Sequence, residues 1–146
     1  MTFSTFLSRS RAALLAPHLL LLGCGDAPAP QAGFPASAAA IVTTDGGQLV
    51  VEMRTGPQQP PERGVASVLL VVKNTRGEPV DGLTVVAQPW MPAMGHGAPV
   101  EPSGHAEGNG RYALENVSFF MPGQWELRTS FAGPVTDSVT FGFEIP

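Results

Sequence analysis

From Leu49 onward, apolar residues come in short runs rich in β-branched and aromatic side chains, and turn residues separate these runs. No stretch of useful length repeats its apolar residues with the 3.6-residue period of a helix. The clearest alternation is QWELRTSF, in which Trp125, Leu127, Thr129 and Phe131 fall on one face of a strand. The pattern therefore predicts an all-β domain.

The pattern predicts six strand segments. They are 49–54, 65–73, 83–90, 110–120, 124–131 and 135–145. The segment at 110–120 forms either one long strand or two short strands that break near Glu115 and Asn116. Six or seven short strands in about 100 residues favour an immunoglobulin-like, two-sheet antiparallel β-sandwich.

The first 23 residues have the pattern of a signal peptide. Arg9 and Arg11 precede the apolar run AALLAPHLLLLG, which is shorter than the roughly 20 residues that span a bilayer. The run ends in LLGC at Cys24, the only cysteine, and LLGC resembles a bacterial lipobox, which implies lipid on Cys24. The alternative is a free or buried cysteine placed there by chance. We expect a lipid-anchored protein of the bacterial cell envelope that faces the periplasm.

Three parts follow from this reading of the chain. Residues 1–23 are the lipoprotein signal peptide, residues 24–47 hold the lipidated cysteine and a flexible linker rich in alanine and proline, and residues 48–146 form the β-sandwich domain. The linker sequence has too little apolar surface to fold alone. A single cysteine excludes an internal disulfide, so the stability of the domain must come from a packed core.

Charge and motif content argue against two classes of function. Without residues 1–23, which include Arg9 and Arg11 and no acidic residue, six basic and twelve acidic residues remain, a net charge of −6. Nucleic acid is therefore not an expected partner. The chain has no nucleophile-elbow serine and no glycine-rich loop that precedes a helix. We expect the protein not to be an enzyme.

The stretch PWMPAMGHGAP contains the first candidate for a metal site. A β-turn from Met91 to Met94, with proline at its second position, would bring the two Cα atoms within about 7 Å. The following glycine permits a reversal that returns His96 towards them. Two thioethers and one imidazole suit Cu(I) better than hard cations. The ring of Trp90 could lie against a bound cation.

A second loop, FFMPGQW, fits a type II turn and places Met121 at a loop tip. If a short extra strand lies within residues 91–110, both loops fall at the same end of the sandwich, which is the arrangement that we favour. His105, in SGHAEGNG, either adds a ligand or takes no part. A simpler interpretation, and the one that the residues alone favour, is that the methionines only cap the open end of the core.

WMPAMGHG and GRYALENVSFFMPGQWELRTSF together resemble the YtkA-like domain, a relative of the FixH-like proteins, over residues 49–143. The resemblance implies a small exported or membrane-anchored β-sandwich. The FixH-like relatives are linked to assembly of copper-containing terminal oxidases and to cation-pump operons, which implies a copper-handling or oxidase-assembly protein as partner. FixH-like proteins usually have a true transmembrane helix, whereas this chain has a lipoprotein start. A tethered periplasmic role is therefore favoured over a role inside a pump.

Two functional hypotheses follow. The first is a lipid-anchored periplasmic module that holds or passes Cu(I) through Met91, Met94, His96, Met121 and His105, with Trp90 beside them. The second is an envelope interaction or assembly domain that binds no metal and uses the methionine-rich loop as an apolar contact patch.

Overall fold

The computed structural model describes residues 33–146. Within this range the chain forms nine strands and no helix. The strands are β1 (Ala40–Thr43), β2 (Leu49–Gly56), β3 (Gly64–Asn74), β4 (Thr84–Met91), β5 (His96–Gly97), β6 (Ser103–Gly108), β7 (Arg111–Phe119), β8 (Gly123–Ala132) and β9 (Asp137–Ile145). The expected signal peptide and Cys24 lie outside the described residues.

The strands form two antiparallel sheets. One has five strands in the order β1-β2-β3-β7-β6, and the other has four in the order β5-β4-β8-β9. β3 is buried on both faces from Val68 to Val72, whereas β2, β4, β8 and β9 bury alternate residues over most of their length, because successive side chains of a strand point to opposite faces. This places Leu49, Val51 and Met53 of β2 in the core, together with Trp125 and Leu127 of β8. The prediction of an all-β, two-sheet sandwich is confirmed.

The two sheets share one hydrophobic core. Phe119 of the five-stranded sheet packs edge-to-face against Trp125 of the four-stranded sheet, with ring centroids 5.5 Å apart. Phe119 also packs edge-to-face against Phe143 of β9, at 5.0 Å. Such aromatic pairs add about 0.5–1.5 kcal/mol beyond the area that they bury. The described domain is thus held together by packing between the sheets.

The predicted linker at 24–47 is corrected at its C-terminal part, because Ala40–Thr43 form the edge strand β1. The strand pairs with β2, and the N–H of Ala39 donates to the carbonyl oxygen of Met53 at 2.8 Å. Val42 packs partly against the core, and Thr44 is only 4% exposed. The segment has too few apolar residues to fold alone, but an existing sheet edge supplies its hydrogen-bond partners. The folded domain therefore starts before residue 48.

The predicted break near Glu115 and Asn116 is a β-bulge within one continuous strand, β7. Asn116 has a positive φ of 61°, and the pairing with β3 shifts register between Ala66 and Val68. A bulge adds one residue on one strand, so the side chains after it keep facing the core. Val117 and Phe119 are accordingly fully buried.

The two ends of the sandwich differ in character. At one end, β4 turns into β5 through residues 92–95 and β7 turns into β8 through residues 120–122; we call residues 91–96 and 120–123 the tip. At the opposite end, which we call the far end, β3 finishes in a tight turn where the N–H of Gly77 donates to the carbonyl oxygen of Asn74 at 2.9 Å. All candidate ligands except His105 belong to the tip.

Candidate metal site at the tip

The first loop of the tip is a tight β-hairpin. The carbonyl oxygen of Met91 accepts hydrogen bonds from the N–H groups of Met94, at 3.1 Å, and Gly95, at 3.0 Å. Gly95 has a φ of 67°, a conformation that glycine adopts without steric cost. Met91 then pairs with His96 across the hairpin. The turn expected from the sequence is present in the structure.

The two methionines of this hairpin occupy different environments. Met91 is the last residue of β4 and is 7% exposed in the core, whereas Met94 is 56% exposed. Residues 87, 89 and 91 of β4 are all buried, so the alternation of the strand fixes the inward direction of Met91. The hairpin therefore presents one thioether to the core and one to solvent, which differs from the convergence that the turn alone suggested.

The second loop lies at the same end as the first. The Cε atom of Met91 is 3.1 Å from the position that a Cβ atom would take on Gly123. Met121 is partly buried against the core, and the Nε1–H of Trp125 donates to the carbonyl oxygen of Met121 at 2.8 Å. The extra strands β5 and β6 carry the chain away from this end, and β7 returns it to the second loop. The arrangement favoured from the sequence is therefore the observed one.

His96 is exposed, and its Nδ1 atom lies 3.1 Å from the carbonyl oxygen of Gly97. When Nδ1 carries the hydrogen of the neutral ring, it donates to this oxygen. The lone pair of Nε2 is then available to a metal. A backbone carbonyl that orients a histidine in this way is a common feature of metal sites in proteins.

Trp90 already has a cationic partner within the protein. The guanidinium carbon of Arg128 lies 4.5 Å from the centroid of the Trp90 ring. Glu126 holds this guanidinium in turn, with Nη2 2.7 Å from the carboxylate. One face of the ring is thus covered by Arg128, so the structure places Trp90 in a surface cluster beside the tip.

His105 lies on β6, away from the tip. It pairs with Ala113, and its Nε2 atom is 3.9 Å from the carboxylate of Glu107. The neighbouring Gly104 approaches Val85 near the start of β4. Met91 is six residues further along β4, a separation of about 20 Å. The structure does not bring His105 together with the other candidates.

Phe120, which was not among the residues predicted for the site, is 51% exposed at the second loop. Phe119 points into the core, so strand alternation was the signal that would have placed Phe120 on the outside.

No Asp, Glu, Lys or Arg occurs in residues 88–100 or 117–124. Among residues 33–146, no three His, Cys, Asp or Glu side chains are grouped as metal ligands. The same part of the chain has no helix long and apolar enough to cross a membrane.

Fold and tip together define a class of small all-β sandwich domain with methionine and histidine on adjoining loops at one end. A family model described as YtkA-like matches residues 45–130, more than half of the chain. The chain belongs to this YtkA-like family, and both loops of the tip lie within the matched residues. Neither the curated proteins nor the solved structures compared with the chain gave a match.

Proposed function

We propose that this YtkA-like protein is a lipid-anchored periplasmic module that holds Cu(I) at the tip and passes it to a copper-handling or oxidase-assembly protein. The ligands are Nε2 of His96 and the thioether sulfurs of Met94 and Met121. Soft thioethers and imidazole are the donors that favour Cu(I). In this proposal the lipid on Cys24 keeps the domain at the membrane, and the protein is not an enzyme.

The observation that carries the proposal is the position of Met94 and His96 on one hairpin. Both side chains are exposed. The Nδ1 atom of His96 lies 3.1 Å from the carbonyl oxygen of Gly97, so Nε2 is the ring nitrogen that coordinates the metal. Met121 stands on the adjoining loop and is partly buried. Methionine has three rotatable bonds, so the position of its sulfur changes with the side-chain rotamer, and in this proposal Met121 turns its thioether towards the metal.

The other candidates have different roles in this proposal. Met91 packs under the hairpin and supports it, because its side chain is buried and its Cε atom lies close to Gly123 of the second loop. Trp90 is paired with Arg128 and does not face the metal. His105 is about 20 Å away along the strands and is not a ligand.

A competitive Cu(I) titration of fragment 25–146 with a colorimetric chelator under reducing conditions tests the proposal. The fragment keeps the whole core, which lies between residues 40 and 145. We expect one-to-one binding in the wild type and its loss in a Met94→Leu, His96→Gln double variant. His105→Gln is the matched control and should bind as the wild type does. Unchanged binding in the double variant would rule out this ligand set.

A second candidate function uses the same end of the molecule without metal. Met94 and Phe120 are 56% and 51% exposed, and an apolar surface of this kind is typical of a protein contact. In that case a Met94→Ser, Phe120→Ser variant would lose capture of an envelope partner, and a copper chelator would have no effect. Capture that requires copper would instead favour the metal module.

A further inference from the structure

The described chain starts at the same end of the sandwich as the tip. The carbonyl oxygen of Gly33 and the ring of Phe34 lie against Gly56, the last residue of β2. The side-chain amide of Gln59 donates to the carbonyl oxygen of Ser37 at 3.0 Å. Gly56 pairs with Ser67 of β3. Three residues earlier in β3, Gly64 pairs with Phe119, the residue that immediately precedes the second loop of the tip. The chain thus reaches the domain at the same end as the tip, two strands or about 10 Å to one side of Phe119 and about 10 Å from it along the strands.

The chain length between Cys24 and Gly33 limits how far the tip can be from a lipid on Cys24. Nine residues separate the two positions, and a fully extended chain of nine residues spans at most about 30 Å. The far end lies farther from the point where the chain enters the domain, because Gly56 pairs with Ser67 and seven further residues of β3, about 23 Å, separate Ser67 from Asn74. The linker therefore reaches the tip with less extension than the far end requires.

The surface of the tip is uncharged and exposes apolar side chains. Met94 and Phe120 are exposed there, together with Pro92 and Pro122. Both loops lack charged residues, whereas the chain after residue 23 has a net charge of −6. An anionic membrane surface repels a negatively charged domain. Glu62, Arg63 and Glu144 lie at the same end of the sandwich, but the tip itself carries no charge. The tip is therefore the part of this end that approaches such a surface at the least electrostatic cost.

We propose that the tip contacts the lipid bilayer, with Phe120 and Met94 inserted into the headgroup region. The contact fixes the orientation of the domain, so that His96 faces the membrane. Copper would then be exchanged with a partner at the bilayer surface instead of one free in the periplasm. This inference rests on the proposed lipid on Cys24, but it does not depend on copper binding.

Site-specific quenching by lipids tests the orientation. The full chain, purified from membranes, is reconstituted into vesicles of phosphatidylethanolamine and phosphatidylglycerol that contain spin-labelled lipid. A single added cysteine carries a fluorophore, either as Ala93→Cys in the tip or as Thr75→Cys at the far end. Both positions are exposed, so the second is a matched control. We expect loss of fluorescence at position 93 and no loss at position 75.

Each result separates this inference from the copper proposal. Substitution of Phe120→Ser and Met94→Ser should abolish the quenching at position 93 while the protein stays on the vesicles. Equal quenching at both positions, or none at either, would overturn the orientation whatever the copper titration gives. Mass spectrometry that finds no lipid on Cys24 would overturn the anchor, and the orientation with it. Failure of copper binding alone would leave the orientation intact.

Discussion

At the scale of single residues, the hydroxyl of Tyr112 makes two hydrogen bonds that hold the connection into β4. It donates to the carbonyl oxygen of Val80 at 2.8 Å and accepts from the N–H of Leu83 at 3.1 Å. Tyr112 is 1% exposed, so the N–H of Leu83 would have no replacement partner if the hydroxyl were removed. The aromatic ring of Tyr112 fills part of the core, and its hydroxyl holds the segment from Val80 to Leu83 in place.

Substitution of Tyr112→Phe should therefore lower the free energy of unfolding by about 1–2 kcal/mol, since it leaves a buried donor unsatisfied. Urea denaturation followed by circular dichroism measures this change. Ser130→Ala, which removes an exposed hydroxyl from β8, is the control and should have little effect. Equal stability of Tyr112→Phe and the wild type would contradict the assigned role.

Asp137 is a second residue with a defined electrostatic role, because it accepts several hydrogen bonds from the turn between β1 and β2. Desolvation raises the pKa of its carboxyl, but hydrogen bonds from Thr44 Oγ1 and from the N–H groups of Gly46, Ser138 and Gln48 outweigh this effect. The Oγ1 atom of Thr44 is 2.6 Å from the carboxylate. The pKa of Asp137 is thus held below its usual value in the folded domain.

This depressed pKa predicts a dependence of stability on pH. A carboxyl with a lower pKa in the folded than in the unfolded state stabilises the domain fully above its unfolded pKa, about 3.9. That contribution is lost as the pH falls through the folded value. Urea midpoints measured between about pH 5 and about pH 3 should fall less steeply for Asp137→Asn than for the wild type.

The neighbouring substitution Thr136→Ala serves as the control, because it leaves the carboxylate and its hydrogen bonds in place. It should show the same acid dependence as the wild type. An Asp137→Asn variant that loses stability as steeply as the wild type would show that the carboxylate has no such role.

At the scale of elements, the edge strand β1 lies outside the residues that the family model matches. Its backbone pairs with β2 from Ala40 to Thr43, and Ala40 and Val42 cover part of the core. Fragment 44–146 removes this strand and keeps Thr44, whereas fragment 39–146 keeps both. We expect 44–146 to be less stable by about 1–3 kcal/mol, from lost hydrogen bonds and lost apolar burial.

Guanidinium or urea denaturation of the two fragments measures this difference directly. Comparison of 39–146 with 33–146 is the control for the contacts that residues 33–38 make with β2. If 44–146 and 39–146 unfold at the same denaturant concentration, β1 contributes nothing to the stability of the domain.

The strands that the sequence predicted and those that it missed differ in how they are stabilised. The six long strands carry their own apolar pattern, either an alternation or, in β3, a nearly continuous run, and the structure reproduces each of them to within two residues. Strands β1, β5 and β6 lie at sheet edges, and every residue of β6 is exposed. An edge strand of this type forms because a neighbour offers backbone partners, and its own side chains give little signal.

The candidate site was predictable to a similar extent. The turn at Met91–Met94 followed from turn chemistry. The shared end of the two loops depended on an extra strand within residues 91–110, which the sequence favoured but did not establish. The burial of Met91 was predictable by extending the alternation of β4 by one more position. The pairing of Trp90 with Arg128 depends on the alignment of β4 with β8, which a single sequence does not give.

At the scale of the whole molecule, one end of the sandwich brings together the tip, the start of the domain and its last strand. Ile145 pairs with Gly123, so Pro146 lies beside the tip. A polyhistidine affinity tag attached at Pro146 would place additional imidazoles next to Met94 and His96 and would compete with them for copper. The hairpin at Gly77, about 35 Å away along β3, is the position where an affinity tag or fluorescent reporter would leave the tip undisturbed.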